Sequence, residues 1–127
     1  MTITQFKRLS VVLVIATVFS LALNAVLFWE YVRQKIEVAF ASDQIEIFEA
    51  MRTRALQSDT IEAASSLEYA IRYYPSGSKQ RTGSRLDKIV ERERIKAARD
   101  IIAYLRQKTG QDLGEDPEKW GERFVKK

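Results

Sequence analysis

The sequence of 127 residues contains no cysteine and no histidine. Disulfide bonds and thiolate chemistry are therefore excluded, and the chain lacks the commonest zinc ligand and the commonest general base. A metal site would need oxygen ligands alone, and a general base would have to be Asp, Glu, Lys or Tyr. No phosphate-binding loop and no dinucleotide fingerprint is present. We therefore expect a non-enzymatic protein without a metal or cofactor site.

One pair of motifs is similar to those of the serine acyl-enzymes. Ser76 and Lys79 match S-x-x-K, and residues 108–110 match K-T-G. That chemistry needs the serine at the start of a helix and K-T-G on a strand that lines the same cleft. Here the serine follows Pro75 in a loop, and the second motif ends a helix. The chain is also far shorter than such enzymes, so we interpret both matches as coincidence.

Residues 9–29 form an apolar run without an ionisable side chain. About 20 apolar residues in a helix cross a hydrocarbon core of ~30 Å, so we predict a transmembrane helix here. Phe28, Trp29 and Tyr31 supply the aromatic belt expected at one interface. Asn24 is the costly polar residue of this segment. It either hydrogen-bonds across a pair of helices or lies near enough to the interface to be wetted.

A cleaved signal peptide is the main alternative to a permanent anchor. The apolar part of a signal peptide is about 7–15 residues long and ends at small residues. Here the apolar run continues past residues 20–22, the only passable cleavage site, as far as position 29. The sequence therefore favours an uncleaved anchor.

Basic residues predict the orientation of the anchor. Lys7 and Arg8 close the basic tail at 1–8, whereas only Arg33 and Lys35 are basic in the twenty residues that follow the anchor. Together with the amino terminus this is a small basic excess before the anchor. The positive-inside rule then predicts a cytoplasmic N-terminus and an exported C-terminal domain.

Residues 30–57 contain no glycine or proline and predict an amphipathic juxtamembrane helix that continues the anchor. Asp43 followed by Glu46 has the form of a capping pair and predicts an interruption near Ser42. We interpret the apolar stripe of this helix as a core face, with the seam of a dimer as the alternative. The stripe consists of Val32, Ile36, Phe40, Ile47, Met51 and Ala55.

Capping residues divide the rest of the chain into further helices. Asp59 is placed to cap a helix that runs to Tyr74, where Pro75 stops it. Ser84 is placed to open the longest helix of this part, over about 85–109. Strand signals are missing, so we predict an all-α chain in which three to four helices follow or continue the anchor.

The last part of the small helical domain, which we assign to residues 58–127, has the pattern of a cap. Gly110 is expected to end the long helix, and Asp116 followed by Pro117 is expected to start a short one. Trp120 in that short helix has a large apolar area to bury. We expect it to fold back on the core.

The long helix carries a stripe of like charge. Residues 69–111 hold 11 basic and 4 acidic side chains. On a helical projection six basic residues fall within an arc of roughly 80°, opposite the apolar side chains. They are Arg85, Lys88, Arg92, Lys96, Arg99 and Arg106. Arg94 is the exception, because it projects into the apolar face and needs a partner there.

Two interpretations of this stripe remain open. In the first, it is a solvated face, partly neutralised by carboxylates of the preceding helices at Asp43, Glu46, Glu49 and Glu62. In the second, it binds an anionic partner, either lipid headgroups or an acidic protein. Nucleic acid is disfavoured because no recognition motif accompanies the charge.

Two segments resemble known bacterial proteins. Residues 105–120, LRQKTGQDLGEDPEKW, resemble a tail of the form T-G-x-D-[LF]-G-x-D-P-x-x-W that is found in planctomycete-type bacteria. Residues 67–80, LEYAIRYYPSGSKQ, resemble a segment of small uncharacterised membrane-anchored proteins from the same group. The sequence departs from the commoner tail at Leu113, where Phe is frequent, and at Phe124, which replaces a second Trp. The resemblance implies a bacterial envelope setting and no catalytic role.

Taken together, these features predict a single-pass membrane protein of the cell envelope. Its partners are expected to be the lipid bilayer and, for the helical domain, a protein or an anionic lipid surface. The alternative is a bitopic structural or assembly factor that dimerises through its transmembrane and juxtamembrane helices.

Overall fold

The computed structural model describes residues 2–73, 75 and 77–126, and it shows an all-α protein as predicted. Helix α1 spans Ile3–Leu56, α2 spans Thr60–Arg72, α3 spans Arg85–Thr109 and α4 spans Pro117–Phe124. No strand occurs in these described ranges. The chain divides into two compact units, one that ends at Ile36 and one that begins at Glu37.

The first unit is the apolar part of α1. Its apolar run is long enough to cross a membrane, and none of that run is buried within the protein. Two of its hydroxyl groups donate to carbonyls inside the helix: Ser10 Oγ to that of Phe6 at 3.0 Å and Thr17 Oγ1 to that of Leu13 at 2.9 Å. Such bonds lower the cost of placing these side chains among apolar neighbours. The segment is therefore compatible with a single-pass membrane protein.

The expected interruption near Ser42 is wrong, because α1 continues without a break to Leu56. Asp43 is exposed inside the helix and caps no described backbone group, whereas Ala41, Gln44 and Phe48 are buried. Because this face is packed, the helix continues past the local capping pattern. Tertiary contacts commonly override local preference in this way.

The packed face of α1 also differs from the predicted apolar stripe. Ile36 is 50% exposed and Phe40 is 38% exposed, although both belong to that stripe. The buried positions of α1 are Ala41, Gln44, Phe48 and Ala55. This face is rotated by roughly 80° from the predicted one, at 3.6 residues per turn. The juxtamembrane segment 30–57 is thus divided, and from Glu37 on it belongs to the second unit.

Two clusters form the core of the second unit. The first joins the end of α1 to the other three helices: Ala55, Ala63, Ala64, Leu67, Ala98, Ile101, Ile102, Leu105 and Trp120. The second joins the middle of this α1 segment to α2 and α3: Ala41, Phe48, Ala70, Val90 and Ala97. The many alanines allow the helices to approach closely, while the larger side chains supply most of the buried apolar area.

The predicted helix caps at Asp59, Ser84 and Gly110 are confirmed. Asp59 accepts a hydrogen bond from the Glu62 backbone N–H at 2.9 Å, and Ser84 Oγ accepts one from Asp87 N–H at 3.1 Å. Gly110 ends α3 in the left-handed conformation, with φ of 67°. These local bonds satisfy backbone groups that the ends of helices leave without partners.

Trp120 closes the core as the sequence predicts. Its side chain is fully buried, and its ring stacks on Phe124 with the centroids 6.0 Å apart. The indole N–H donates to the Gly114 carbonyl at 3.0 Å. The turn at Gly114, where φ is 83°, therefore presents the acceptor that the buried indole requires.

A buried carboxylate organises the loop before α3. Asp87 is 4% exposed, and its two oxygens accept the backbone N–H of Gly77 at 3.0 Å and of Gly83 at 2.8 Å. In the same loop, the buried Gln80 Nε2 donates to Gln44 Oε1 at 2.6 Å. These bonds tie the loop to the start of α3 and to α1.

Candidate functional site

Helix α3 separates an apolar face from a charged one. Val90, Ala97, Ile101 and Leu105 are buried, as predicted. On the opposite side five of the six predicted basic residues are exposed, and Arg106 is half-buried. We call the exposed five the basic face: Arg85, Lys88, Arg92, Lys96 and Arg99.

Most of the basic face has no carboxylate partner among the residues that the structure describes. Among those residues, Lys96 is the one member of the face that forms an ion pair, in which its Nζ lies 3.6 Å from Glu93 Oε2. In the part of the chain that the structure describes, no carboxylate pairs with the remaining four cations, Arg85, Lys88, Arg92 and Arg99.

The carboxylates expected to neutralise the stripe have other positions. Glu62 pairs with Arg54, and Glu49 pairs with Arg52 at 3.5 Å. Arg52 also pairs with Asp100 of α3. Asp43 and Glu46 are exposed, and neither forms an ion pair with any described residue. The two arginines at the end of α1 thus pair with Glu49 and Glu62, two of the four carboxylates that were expected to neutralise α3.

Arg106 is committed to the turn after α3. Its guanidinium contacts Asp112 Oδ1 at 2.9 Å and Glu115 Oε1 at 2.8 Å. The hydrogen bonds to Glu115 and then to Asp112 raise the pKa of Arg106 above its ordinary value. The pKa of Asp112 is lowered, first by the Gly114 backbone N–H and next by Arg106. This arginine holds the tail in place rather than facing a partner.

Two exposed isoleucines flank the basic face. Ile95 is 54% exposed and Ile89 is 36% exposed. Ile95 lines an open depression together with Lys88, Arg92 and Arg99. A face of this composition can bind an anionic group through the cations and an apolar group through the isoleucines.

Arg94 finds the partner that its position requires. It is buried, and Nη1 lies 2.8 Å from Glu91 Oε1 while Nη2 donates to the Tyr73 carbonyl at 3.3 Å. Its guanidinium also lies over the Phe48 ring, 5.3 Å from the centroid. Arg94 therefore belongs to the core and not to the basic face.

Asn24, the predicted helix-helix contact, makes some of its hydrogen bonds within α1 itself. Asn24 Nδ2 donates to the Ser20 carbonyl at 2.7 Å and lies 3.5 Å from Ser20 Oγ. The amide oxygen of Asn24 accepts no hydrogen bond from the described residues. This oxygen can therefore accept a hydrogen bond from another helix.

The serine acyl-enzyme motifs are not brought together by a described contact. Ser76 lies outside the described residues, as does Tyr74 at the predicted end of α2. Lys79 Nζ lies over the Phe40 ring, 4.7 Å from its centroid, and Lys108 Nζ donates to Tyr104 Oη at 3.0 Å. Both lysines thus have contacts unrelated to a catalytic serine.

Sequence reasoning missed Asp87, whose burial shows only in the fold. The one available signal was its position three residues after Ser84, which is typical of a capping box.

Comparison of the chain with protein-family models, with curated proteins and with solved structures finds no match.

Proposed function

We propose that the protein is a non-enzymatic, single-pass membrane protein of the bacterial envelope whose helical module binds an anionic partner through the basic face of α3. One observation carries the proposal. Four cations, Arg85, Lys88, Arg92 and Arg99, share one exposed face without a described carboxylate partner. The envelope setting rests on the resemblance of the tail and of residues 67–80.

The energetics favour an anion at this face. Lys88 and Arg92 are four residues apart, as are Arg92 and Lys96, and each such pair destabilises a helix by ~0.2–0.5 kcal/mol. Each basic residue near an anionic lipid surface contributes about 1 kcal/mol. Five cations therefore supply about 5 kcal/mol, to which the exposed Ile89 and Ile95 add apolar contact.

Binding is tested on the full chain in nanodiscs of neutral phosphatidylcholine, with co-sedimentation on liposomes that contain phosphatidylglycerol. We expect binding that weakens with added salt and is absent on neutral liposomes. The double variant Arg92→Glu and Arg99→Glu should bind at least tenfold more weakly. The matched control reverses Lys119 and Arg123, which are exposed on α4, and lowers the net charge from +4 to 0 as the first variant does. Equal losses of liposome binding in both variants would show that net charge alone is responsible and would refute a role for this face.

The anchor and its orientation need a separate test. We propose an uncleaved transmembrane helix over 9–29 with a cytoplasmic N-terminus, on the basis of its apolar length and of Lys7 and Arg8 before it. A tag after the last residue should then be digested by protease added to spheroplasts. Protection of the tag would reverse the orientation. An N-terminus found just after Ala22 by mass spectrometry would show that the segment is a cleaved signal.

A second candidate function is a bitopic assembly factor that dimerises through α1. The Asn24 amide oxygen favours it, because an interhelical hydrogen bond in a membrane contributes about 1 kcal/mol. The seam predicted along 32–55 is disfavoured from Glu37 on, since Ala55 is buried in its own unit and Phe40 contacts Lys79. The chain has no native cysteine, so single cysteines along 18–30 can be cross-linked cleanly. A helical period centred on position 24 is expected, and a flat profile would exclude this dimer.

A further inference from the structure

Within the second unit, the charged side chains of α1 and α3 that pair with no described residue separate by sign. On the outer side of α1 lie Asp43 and Glu46, which pair with no described residue, and Glu49, whose pair with Arg52 is 3.5 Å long and largely exposed. We call these three carboxylates the acidic face. The basic face of α3 carries the opposite charge on the same unit.

The acidic face is shaped for the approach of another helix. Four of the exposed side chains around Glu46 are small: Ala39, Ser42, Ala50 and Thr53. They recur at helical spacing, and an open depression nearby is lined by Ile45, Glu46, Glu49, Ala50 and Thr53 together with the longer Arg54 and Gln57. Small side chains let a second helix come close enough for its long basic side chains to reach the carboxylates.

The two faces lie side by side. Helices α1 and α3 pack through Phe48, Val90 and Ala97, and a small depression between them is lined by Glu49 and Lys96. The acidic face thus borders the basic face along this contact. When complementary surfaces adjoin in this way, one two-fold axis places each surface of one copy against its complement on the other.

We infer that the anionic partner of the basic face is the acidic face of a second copy of this chain, in a two-fold dimer with two equivalent α1–α3 contacts. The inference deepens the proposed function and rests on it, because it names the anionic partner. A shared membrane anchor would raise the effective concentration of the copies and so favour such a dimer.

The test uses complementary charge reversals in the full chain, purified in a neutral detergent at low salt. Variant A carries Arg92→Glu and Arg99→Glu, and variant B carries Asp43→Lys and Glu46→Lys. Sedimentation velocity and energy transfer between labelled copies report association. The unaltered chain should dimerise with an affinity that falls as salt rises, and A or B alone should associate at least tenfold more weakly.

The mixture of A and B is the decisive measurement. In that pair the reversed basic face of A meets the reversed acidic face of B, and the two native faces meet each other. Both contacts are again complementary, so the mixture should recover most of the affinity of the unaltered chain. The variant that reverses Lys119 and Arg123 should dimerise normally, and buried Trp120 fluorescence checks that each variant is folded.

Failure of this inference differs from failure of the proposed function. A monomer at all concentrations up to about 100 µM, or an A and B mixture no tighter than either alone, overturns the dimer. If variant A then still loses binding to phosphatidylglycerol liposomes, the basic face binds lipid and the proposed function stands. If variant A keeps liposome binding but loses self-association that B restores, the dimer stands and lipid is excluded as the partner of this face.

Discussion

Phe48→Ala would remove the largest side chain that α1 contributes to the core of the second unit. Phe48 is 1% exposed, packs among Ala70, Val90 and Ala97, and lies beneath the Arg94 guanidinium. Replacement of a buried Phe by Ala costs ~3–5 kcal/mol. A unit of about 90 residues has a stability of about 5–14 kcal/mol, so the loss is a large share of the total.

Phe40→Ala is the matched control, because it changes the same residue type on the same helix. Phe40 is 38% exposed and its ring contacts the Lys79 ammonium. The loss of a partly exposed cation–π contact costs about 1 kcal/mol. The two substitutions should therefore lower the free energy of unfolding by amounts that differ severalfold. They would rank the other way if the stripe predicted from sequence were the packed one.

The assay is urea unfolding of the full chain in micelles, followed by the fluorescence of Trp120 in a Trp29→Phe background. At a slope of ~1–1.5 kcal/mol per M, Phe48→Ala should lower the midpoint by about 2–5 M and Phe40→Ala by about 1 M or less. Phe48→Leu should fall between them. Equal shifts for Phe48→Ala and Phe40→Ala would refute the view that α1 packs through Phe48.

Two further predictions concern the loop and the tail. Gly77 and Gly83 both have positive φ, at 74° and 75°, but a Cβ at Gly77 would collide with Thr82 Oγ1 whereas one at Gly83 would meet nothing within 4 Å. Gly83→Ala should therefore lower the free energy of unfolding by about 1–2 kcal/mol. Gly77→Ala should lower it distinctly more in the same urea assay, and equal costs would contradict the clash with Thr82. The pKa of Asp112 is lowered by Gly114 N–H and by Arg106, so its stabilising contribution is complete above the ordinary pKa of about 4 and is lost as the pH falls through the lowered value. Asp112→Asn should flatten the fall of the urea midpoint between pH 5 and pH 2, and an unchanged slope would show that this carboxylate plays no part.

Local signals explain what the sequence predicts well. Asp59 and Ser84 bond to backbone groups only three residues away, so the starts of α2 and α3 depend on little else. The basic face is also a local property, because one helix fixes the direction of every side chain on it. Five of the six predicted cations are exposed there, and their binding of an anion stays a prediction.

Long-range partners explain what the sequence does not predict. Arg106 leaves the basic face because Asp112 and Glu115, beyond the end of α3, lie within reach of its guanidinium. The packed face of α1 is not apparent because one of its buried residues is Gln44, which a hydrophobic pattern counts as exposed. Its partner Gln80 is 36 residues away.

The buried pair of Gln44 and Gln80 has a consequence for the specificity of the fold. Ala41 and Ala97 of the second core cluster are small, and small apolar residues discriminate poorly between alternative rotations of a helix. An arrangement of this α1 segment that turned Phe40 and Ile47 inward would also bury apolar side chains. It would also separate the two amides and leave Gln80 buried without its acceptor, at about 1–3 kcal/mol. The amide pair therefore selects one rotation of α1 among several that hydrophobic burial alone would accept.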